Sequence, residues 1–298
     1  MDRLRAMSAF VAVAEAEGFA AAAKRAGMSP PAITRAVAAL EEHLGTRLFK
    51  RTTRVVRLSE AGVHFLADCK RILAEIEEAE ASAAGAHAAP QGSVAVTAPA
   101  MFGRLFVAPV VTDFLAQHPQ MRVRLLLVDR VVDLIEEGLD VAVRIAHLPD
   151  SSLTAVLVGS MRRVVCAAPA YLAQRGVPRE PRDLAHLEAI YFSFAQQQQW
   201  TFRVNGRPRI VRPPAHLVAN TAEVAVTAAV AGRGVARVLS YQVEREVRTG
   251  ALQIVLREFE PPPIPVHVVH AEGRRAPARV RAFVDFVVRR LRAEDWLA

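Results

Sequence analysis

The sequence predicts two folds in series. The first is an all-α head with a small wing, a winged helix-turn-helix; the second is an α/β domain of two lobes; a long helix joins them. Three observations predict this. Residues 19–41 read as helix, tight turn, helix. Residues 59–88 place apolar side chains at alternating steps of four and three. From residue 92 onward, short β-branched runs alternate with helical patterns, as in sheets whose strands are joined by crossover helices.

In the head, Phe19–Arg25 is alanine-rich and Gly27 supplies a turn residue that takes the left-handed conformation without steric cost. The Ser29 hydroxyl is placed to cap the next helix. Pro30 and Pro31 fall in its first turn, where a missing amide hydrogen costs little. Ile33, Val37 and Leu40 share one face and pack inward, which turns Thr34 and Arg35 outward. A second helix so placed is built to lie in a DNA major groove; an ordinary helical hairpin fits this segment equally well.

The flanks favour DNA. Leu4, Met7, Phe10, Val11, Val13 and Ala14 make an amphipathic first helix. Residues 45–58 carry the apolar anchors Leu48 and Phe49, then a basic, β-branched stretch suited to a two-stranded wing. Lys50, Arg51, Arg54 and Arg57 line it with cations for a phosphate backbone. Residues 1–58 hold ten Lys/Arg against five Asp/Glu, a net of +5 within the chain total of +8. The remainder is also basic, so charge alone does not single out the head.

Ser59 opens the next helix, with Glu60 at its positive end. Phe65, Cys69, Ile72, Ile76, Ala79 and Ala83 then repeat with the period near 3.5 of a seam between two helices. Residues 59–88 are therefore predicted to be a dimerising linker helix, ended near Gly85 and followed by a boundary at Pro90-Gln91-Gly92.

Beyond it, strands are predicted at 93–97, 122–128, 141–144, 156–158, 163–167, 190–191, 215–219, 235–238 and 266–270. Helices are predicted at 102–117, 131–137, 221–231 and 277–292. The alternation implies parallel sheets in two lobes over residues 92–298.

Residues 1–58 resemble the winged helix-turn-helix of LysR-type transcriptional regulators. The resemblance is carried by Phe10, Gly18-Phe19, Ala22-Ala23, the run Met28–Thr34, Leu40-Glu41, Leu44-Gly45, Leu48-Phe49, Arg51, Arg54, Leu58-Ser59 and Ala61-Gly62. Pro30 departs from the family, which commonly has a polar residue there; Thr34 keeps the hydroxyl of a frequent Ser. The implied DNA-facing set is Ser29, Pro31, Ala32, Thr34 and Arg35 on the second helix, with Arg51, Thr53, Arg54 and Arg57 on the wing.

The C-terminal part resembles the effector-binding domain of the same family, which is like a periplasmic binding protein. Thr97-Ala98-Pro99, residues 133–145, Ala168–Leu172 and Ala231–Ala236 carry this match. The resemblance implies one lobe from 92–161 plus 267–298 and another from 162–266. Small molecules bind such folds in the cleft at the carboxyl ends of strands. That marks Thr97, Ala98, Pro99, Ala100, Met101, Ile145, Ala146, His147, Phe192, Ser193 and Thr221 as effector-site candidates. The helix after the first strand is expected to aim free amides at the cleft, a site for a carboxylate. Ala98, Ala100 and Ala146 offer no side-chain hydrogen bonds, which makes the pocket apolar.

Chemistry is sparse. The two cysteines, Cys69 and Cys166, lie in apolar settings and suit a reducing cytoplasm. The nine histidines are scattered, with no HExxH pair, and Gly159-Ser160-Met161 breaks the nucleophile-elbow pattern. Gly232-Arg233-Gly234 precedes a strand and so is no phosphate loop. No signal peptide or 18-residue apolar run is read from the sequence. The expected protein is not an enzyme and has no cofactor or metal. It binds double-stranded DNA at paired half-sites of a promoter operator, as a homodimer or homotetramer. A small-molecule effector modulates it; it works with RNA polymerase, in the cytoplasm and off the membrane. The competing reading is a solute-binding or enzymatic α/β protein whose head serves assembly only.

Overall fold

The computed structural model describes residues 2–51, 56–83, 90–192, 198–271 and 276–294, without the side chains of 51, 74, 75 and 77–83. The chain forms two compact units, Met1–Gly92 and Ser93–Ala298.

The first unit begins with α1 (Arg3–Ala16), capped by Asp2, whose carboxylate accepts from the Arg5 amide at 3.2 Å. Helix α2 (Phe19–Arg25) ends where Gly27, at φ 61°, lets the Met28 amide return to the Ala23 carbonyl. Helix α3 (Pro30–Leu44) follows. Its predicted Ser29 side-chain cap is absent. The prolines leave no N–H in the first two positions, and the amides of Ala32 and Ile33 bond instead to the Ser29 backbone carbonyl at 2.9 and 3.1 Å. Strands β1 (Phe49–Arg51) and β2 (Val56–Leu58) pair antiparallel as the wing, and α4 (Glu60–Ala83) leaves it. Ser59 caps α4 as predicted: its hydroxyl accepts from the Gly62 amide at 2.9 Å and donates to the Arg47 carbonyl.

Phe10 centres this core, with ring centroids 5.2 Å from Phe49 and 5.6 Å from Phe65. Phe65, Leu66 and fully buried Cys69 thus belong to the head's own core, and Lys70 pairs with Glu15 of α1 at 2.7 Å. This corrects the predicted seam. Its first two positions pack inside the head; Ile72 and Ile76 remain half-buried; the side chains of Ala79 and Ala83, and residues 84–88, lie outside the described residues. An amphipathic stripe has the same period whether it meets its own domain or a partner.

The second unit opens with β3 (Gly92–Ala98), then a helical run of α5 (Ala100–Phe102), a π turn at Gly103–Val107 and α6 (Ala108–Gln117). The run Ala100–Gln117 is, by length and composition, apolar enough to cross a membrane, which corrects the sequence reading. Here Phe102, Val107, Val110 and Phe114 bury it in a core. Strands β4 (Met121–Leu127), β5 (Val141–Ile145) and β6 (Thr154–Met161) follow. Residues 131–137, predicted as a helix, form only a turn. The Asp133 carboxylate accepts from the Ile135 and Glu136 amides, and Gly138 at φ 59° ends the turn before a helix propagates.

The second lobe contains β7 (Arg163–Ala167), α7 (Pro169–Arg175), β8 (Ala189–Phe192), β9 (Trp200–Val204), β10 (Arg207–Val211), β11 (Ala215–Ala219), α8 (Ala222–Val230), β12 (Val235–Leu239), α9 (Glu244–Arg248) and β13 (Gln253–Val255). The chain returns to the first lobe with β14 (Ile264–His270) and α10 (Ala278–Arg292). The first sheet has strand order β4-β3-β5-β14-β6 and the second β11-β8-β12-β7-β13. Both are mixed, not parallel as predicted. β14 runs antiparallel to β5 and β6, and β7 runs antiparallel to β12 and β13, because the chain changes lobes through straight passages rather than helical crossovers. β14 starts at Ile264, so the lobe boundary falls before the predicted 267; the inward alternation of Ile264, Val266 and Val268 is continuous. The two passages between lobes are tied by Arg162 and Glu260, 3.2 Å apart.

Candidate functional site

Two regions gather the residues of interest, one in each unit. In the head, the outward stripe of α3 is Pro31, Arg35, Ala38 and Glu42, opposite buried Ile33, Val37, Leu40 and Glu41. Ser29 and Pro31 are exposed and Ala32 is half-buried. Thr34 is half-buried, and its hydroxyl donates to the Pro30 carbonyl at 2.9 Å, leaving only its lone pairs and methyl for another partner. Arg35 is the exposed cation of this stripe. On the wing, Lys50 and Arg57 stand directly opposite in the β1–β2 register, both exposed. Like charges facing across a strand pair are destabilising. The Arg51 side chain, Thr53 and Arg54 lie outside the described residues.

Glu41 was not singled out as functional from sequence, yet it fixes the wing to α3. It is 4% exposed, and one carboxylate oxygen accepts from the amides of Leu48 and Phe49 at 2.8 and 3.1 Å. Arg47 approaches its other oxygen at 3.4 Å. A buried acid seven residues before the amides it accepts from has no periodic signature, so pattern reading passes over it.

In the second unit, Ile145, Ala146 and His147 line a cavity of about 500 Å³ with Arg163, Pro261, Pro262 and Ile264. These residues come from the carboxyl end of β5, the start of β7 and the returning passage, so the cavity lies between the lobes. The other predicted candidates do not line it. Thr97 and Ala98 are fully buried in β3, Thr97 with an unpartnered hydroxyl. Pro99, Ala100, Met101, Phe192 and Thr221 are half-buried, and Ser193 lies outside the described residues.

The predicted carboxylate site at the start of α5 is also corrected. The Ala100 amide is already bonded to Asp129 at 3.0 Å. Tyr241 stands against Phe102 and Phe106, at 5.5 and 5.8 Å between centroids. Burial, with the carboxylates of Asp129 and Glu223, pushes its phenol well above its usual range.

Arginines gather around β7 and β12 instead. Arg163 and Arg237 lie on one face of the second sheet, where Arg237 pairs with Val165 and Leu239 with Arg163. Arg237 donates to the Thr201 carbonyl and sits 5.2 Å from the Phe202 ring centroid. Burial, then the charge of Arg163, pushes the Arg237 guanidinium down to about 9. Both were missed in the sequence because an Arg in a strand reads as the outward half of an alternating pattern.

No cluster of three or more His, Cys, Asp or Glu able to hold a metal occurs among the described residues. Burial pushes the Cys69 thiol up to about 11 and Cys166 to about 12, far from reactive thiolates.

A winged helix-turn-helix followed by a two-lobed α/β domain with an inter-lobe cavity defines a class, the transcriptional regulators with a small-molecule-binding domain. The comparisons place the chain within it. Residues 4–63 match the bacterial regulatory helix-turn-helix proteins of the lysR family, and residues 87–292 match the LysR substrate-binding domain. The chain belongs to the LysR family of transcriptional regulators, whose members are regulators and not enzymes. It is 34% identical to an HTH-type transcriptional regulator of Haemophilus influenzae, over 94% of this chain and 98% of that protein. It is 33% identical to a transcriptional repressor of Pseudomonas aeruginosa, over 97% and 92%, and 31% identical to the transcriptional activator AaeR of Escherichia coli, over 96% and 93%. Among solved structures, the LysR-type regulator CrgA of Neisseria meningitidis is similar at a TM-score of 0.62 and 29% identity, covering 96% of this chain and 98% of that one.

Proposed function

We propose that the head of this regulator binds double-stranded operator DNA sequence-specifically, with the start of α3 in the major groove and the wing on the phosphate backbone. The observation that carries this reading is the exposed Lys50–Arg57 pair. Two cations facing each other on a two-stranded wing are unfavourable alone and become favourable when a phosphate lies between them. Arg35 reads a base edge or phosphate at the centre of α3, with Ser29, Pro31, Ala32 and Thr34 at the groove. Thr34 takes part as an acceptor and methyl group, since its proton is held by Pro30. Arg51, Thr53, Arg54 and Arg57 contact the backbone.

A single recognition helix reads few bases, so the chain works as a homodimer or homotetramer on paired half-sites, with α4 beyond Cys69 supplying the pairing surface. A small-molecule effector in the inter-lobe cavity shifts the lobes and alters the spacing of paired heads, and with it the contact to RNA polymerase. This work takes place in the cytoplasm, on chromosomal DNA.

Fluorescence titration of the promoter fragment beside the protein's own gene, against a scrambled fragment, tests the DNA reading. Affinity is expected to fall steeply as salt rises from roughly 50 to 200 mM, and Arg57→Ala to lower the log–log slope by about 1. Equal affinity for the two fragments at low salt sinks the reading.

A further inference from the structure

The cleft carries a charge that nothing nearby in the protein balances. Arg162 is matched by Glu260. The side chain of its chain neighbour Arg163, exposed to solvent, has neither a hydrogen bond nor an ion pair among the described residues, and it lines the inter-lobe cavity of about 500 Å³. Behind it on the same sheet face, Arg237 holds one backbone carbonyl and one aromatic ring, while its Nε is buried without a partner. Arg237 is half-buried and feels the charge of Arg163, a cost that an anion beside Arg163 offsets. His267, behind Ala146, adds no donor: a hydrogen bond to the Ala146 backbone engages its ring, burial lowers its pKa, and its buried Nδ1 is left as an unpartnered acceptor. The remaining walls, Ile145, Ala146, Pro261, Pro262 and Ile264, are apolar. The volume lies within the ~300–1,000 Å³ of small-molecule sites.

We propose that the effector is a small organic anion, a carboxylate with an apolar body, whose charged end is held by Arg163 with Arg237 reinforcing the field from behind. The apolar body lies against Ile145, Pro261, Pro262 and Ile264. Planar guanidinium groups match carboxylates bidentately, so Arg163→Lys weakens binding even though it keeps the charge. The assignment rests on the reading of the cleft as the effector site, and it names the ligand class for that site.

The test is calorimetric titration and thermal shift of the full chain with two matched pairs of probes, benzoate with benzamide and hexanoate with hexanamide. At least one carboxylate is expected to bind and its amide not. Arg163→Gln is expected to weaken that binding about tenfold or more, equivalent to about 1.4 kcal/mol or more. Ala146→Trp, which fills the cavity without touching the charges, is expected to abolish it. Amides that bind as well as the acids, with both lost in Ala146→Trp, overturn the anion assignment while leaving the cleft reading intact. Carboxylate binding that survives Arg163→Gln but not Ala146→Trp overturns the role of Arg163. Binding of neither class overturns the proposal.

Discussion

Glu41 shows how much one side chain determines in the head. Its buried carboxylate accepts from the amides of Leu48 and Phe49 at the entry to the wing. Glu41→Ala leaves both donors orphaned and is expected to destabilise the head by about 2–4 kcal/mol, read as a lower urea midpoint at unchanged slope. Gly62 is equally constrained: a Cβ there would lie 2.1 Å from the Leu48 carbonyl oxygen, so Gly62→Ala has to displace backbone. His270 is the residue-scale source of pH dependence. It is 6% exposed, and burial lowers its pKa below 6.5, against a modest opposing pull from Asp285 on α10. Burial likewise lowers His267, which faces Ala146 and His147. A lowered pKa means the unfolded chain binds more protons, so stability is full above the unfolded value of about 6.5 and is lost as pH falls below it. Thermal melting is expected to show a falling transition temperature from about pH 6.5 to 5. A smaller fall in His270→Gln assigns it; an identical fall removes His270 from the account. These roles were not legible in the sequence, because they depend on which amide or helix the fold brings opposite, not on spacing.

At the scale of elements, the wing and α4 make separable predictions. Lys50→Glu turns a repulsive cross-strand pair into an attractive one. It is expected to stabilise the wing by a few tenths to about 1 kcal/mol while weakening DNA binding. A variant that loses stability and affinity together indicates a wing held by some other contact. For α4, Phe65 and Cys69 belong to the head, so a pairing surface has to begin at Ile72. Ile76→Lys is expected to shift sedimentation toward monomer without lowering the head's stability. The elements themselves were well marked: β3, β7, β11, β12 and α10 fall within two residues of expectation, since alternation and caps there were clean. The 131–137 helix failed because Asp133 and Gly138 close a turn over so short a span. The antiparallel members of both sheets were missed because strand direction depends on where the chain changes lobes. No local pattern records that.

The whole molecule joins a basic head with exposed Arg35, Lys50 and Arg57 to a second unit whose inter-lobe cavity is lined by Arg163. The head's fold was legible early, because a helix-turn-helix is a local arrangement with marked turns and caps. The cleft was legible only as a location. Its candidates were placed at strand ends by topology, and of these only Ile145, Ala146 and His147 meet the cavity. The arginine that lines the cavity, Arg163, comes from the start of β7, with Arg237 of β12 on the same sheet face, far apart in the chain. A ligand there acts on DNA only if it favours one arrangement of the protein, and the coupling between two such sites is typically about 1–3 kcal/mol. The most direct test measures operator affinity and footprint of the full chain with and without a saturating carboxylate probe that binds the cavity. The account predicts a change in affinity of roughly 5–150-fold, or a shifted footprint, that disappears in Arg163→Gln. Unchanged affinity and footprint at full occupancy of the cavity contradict it.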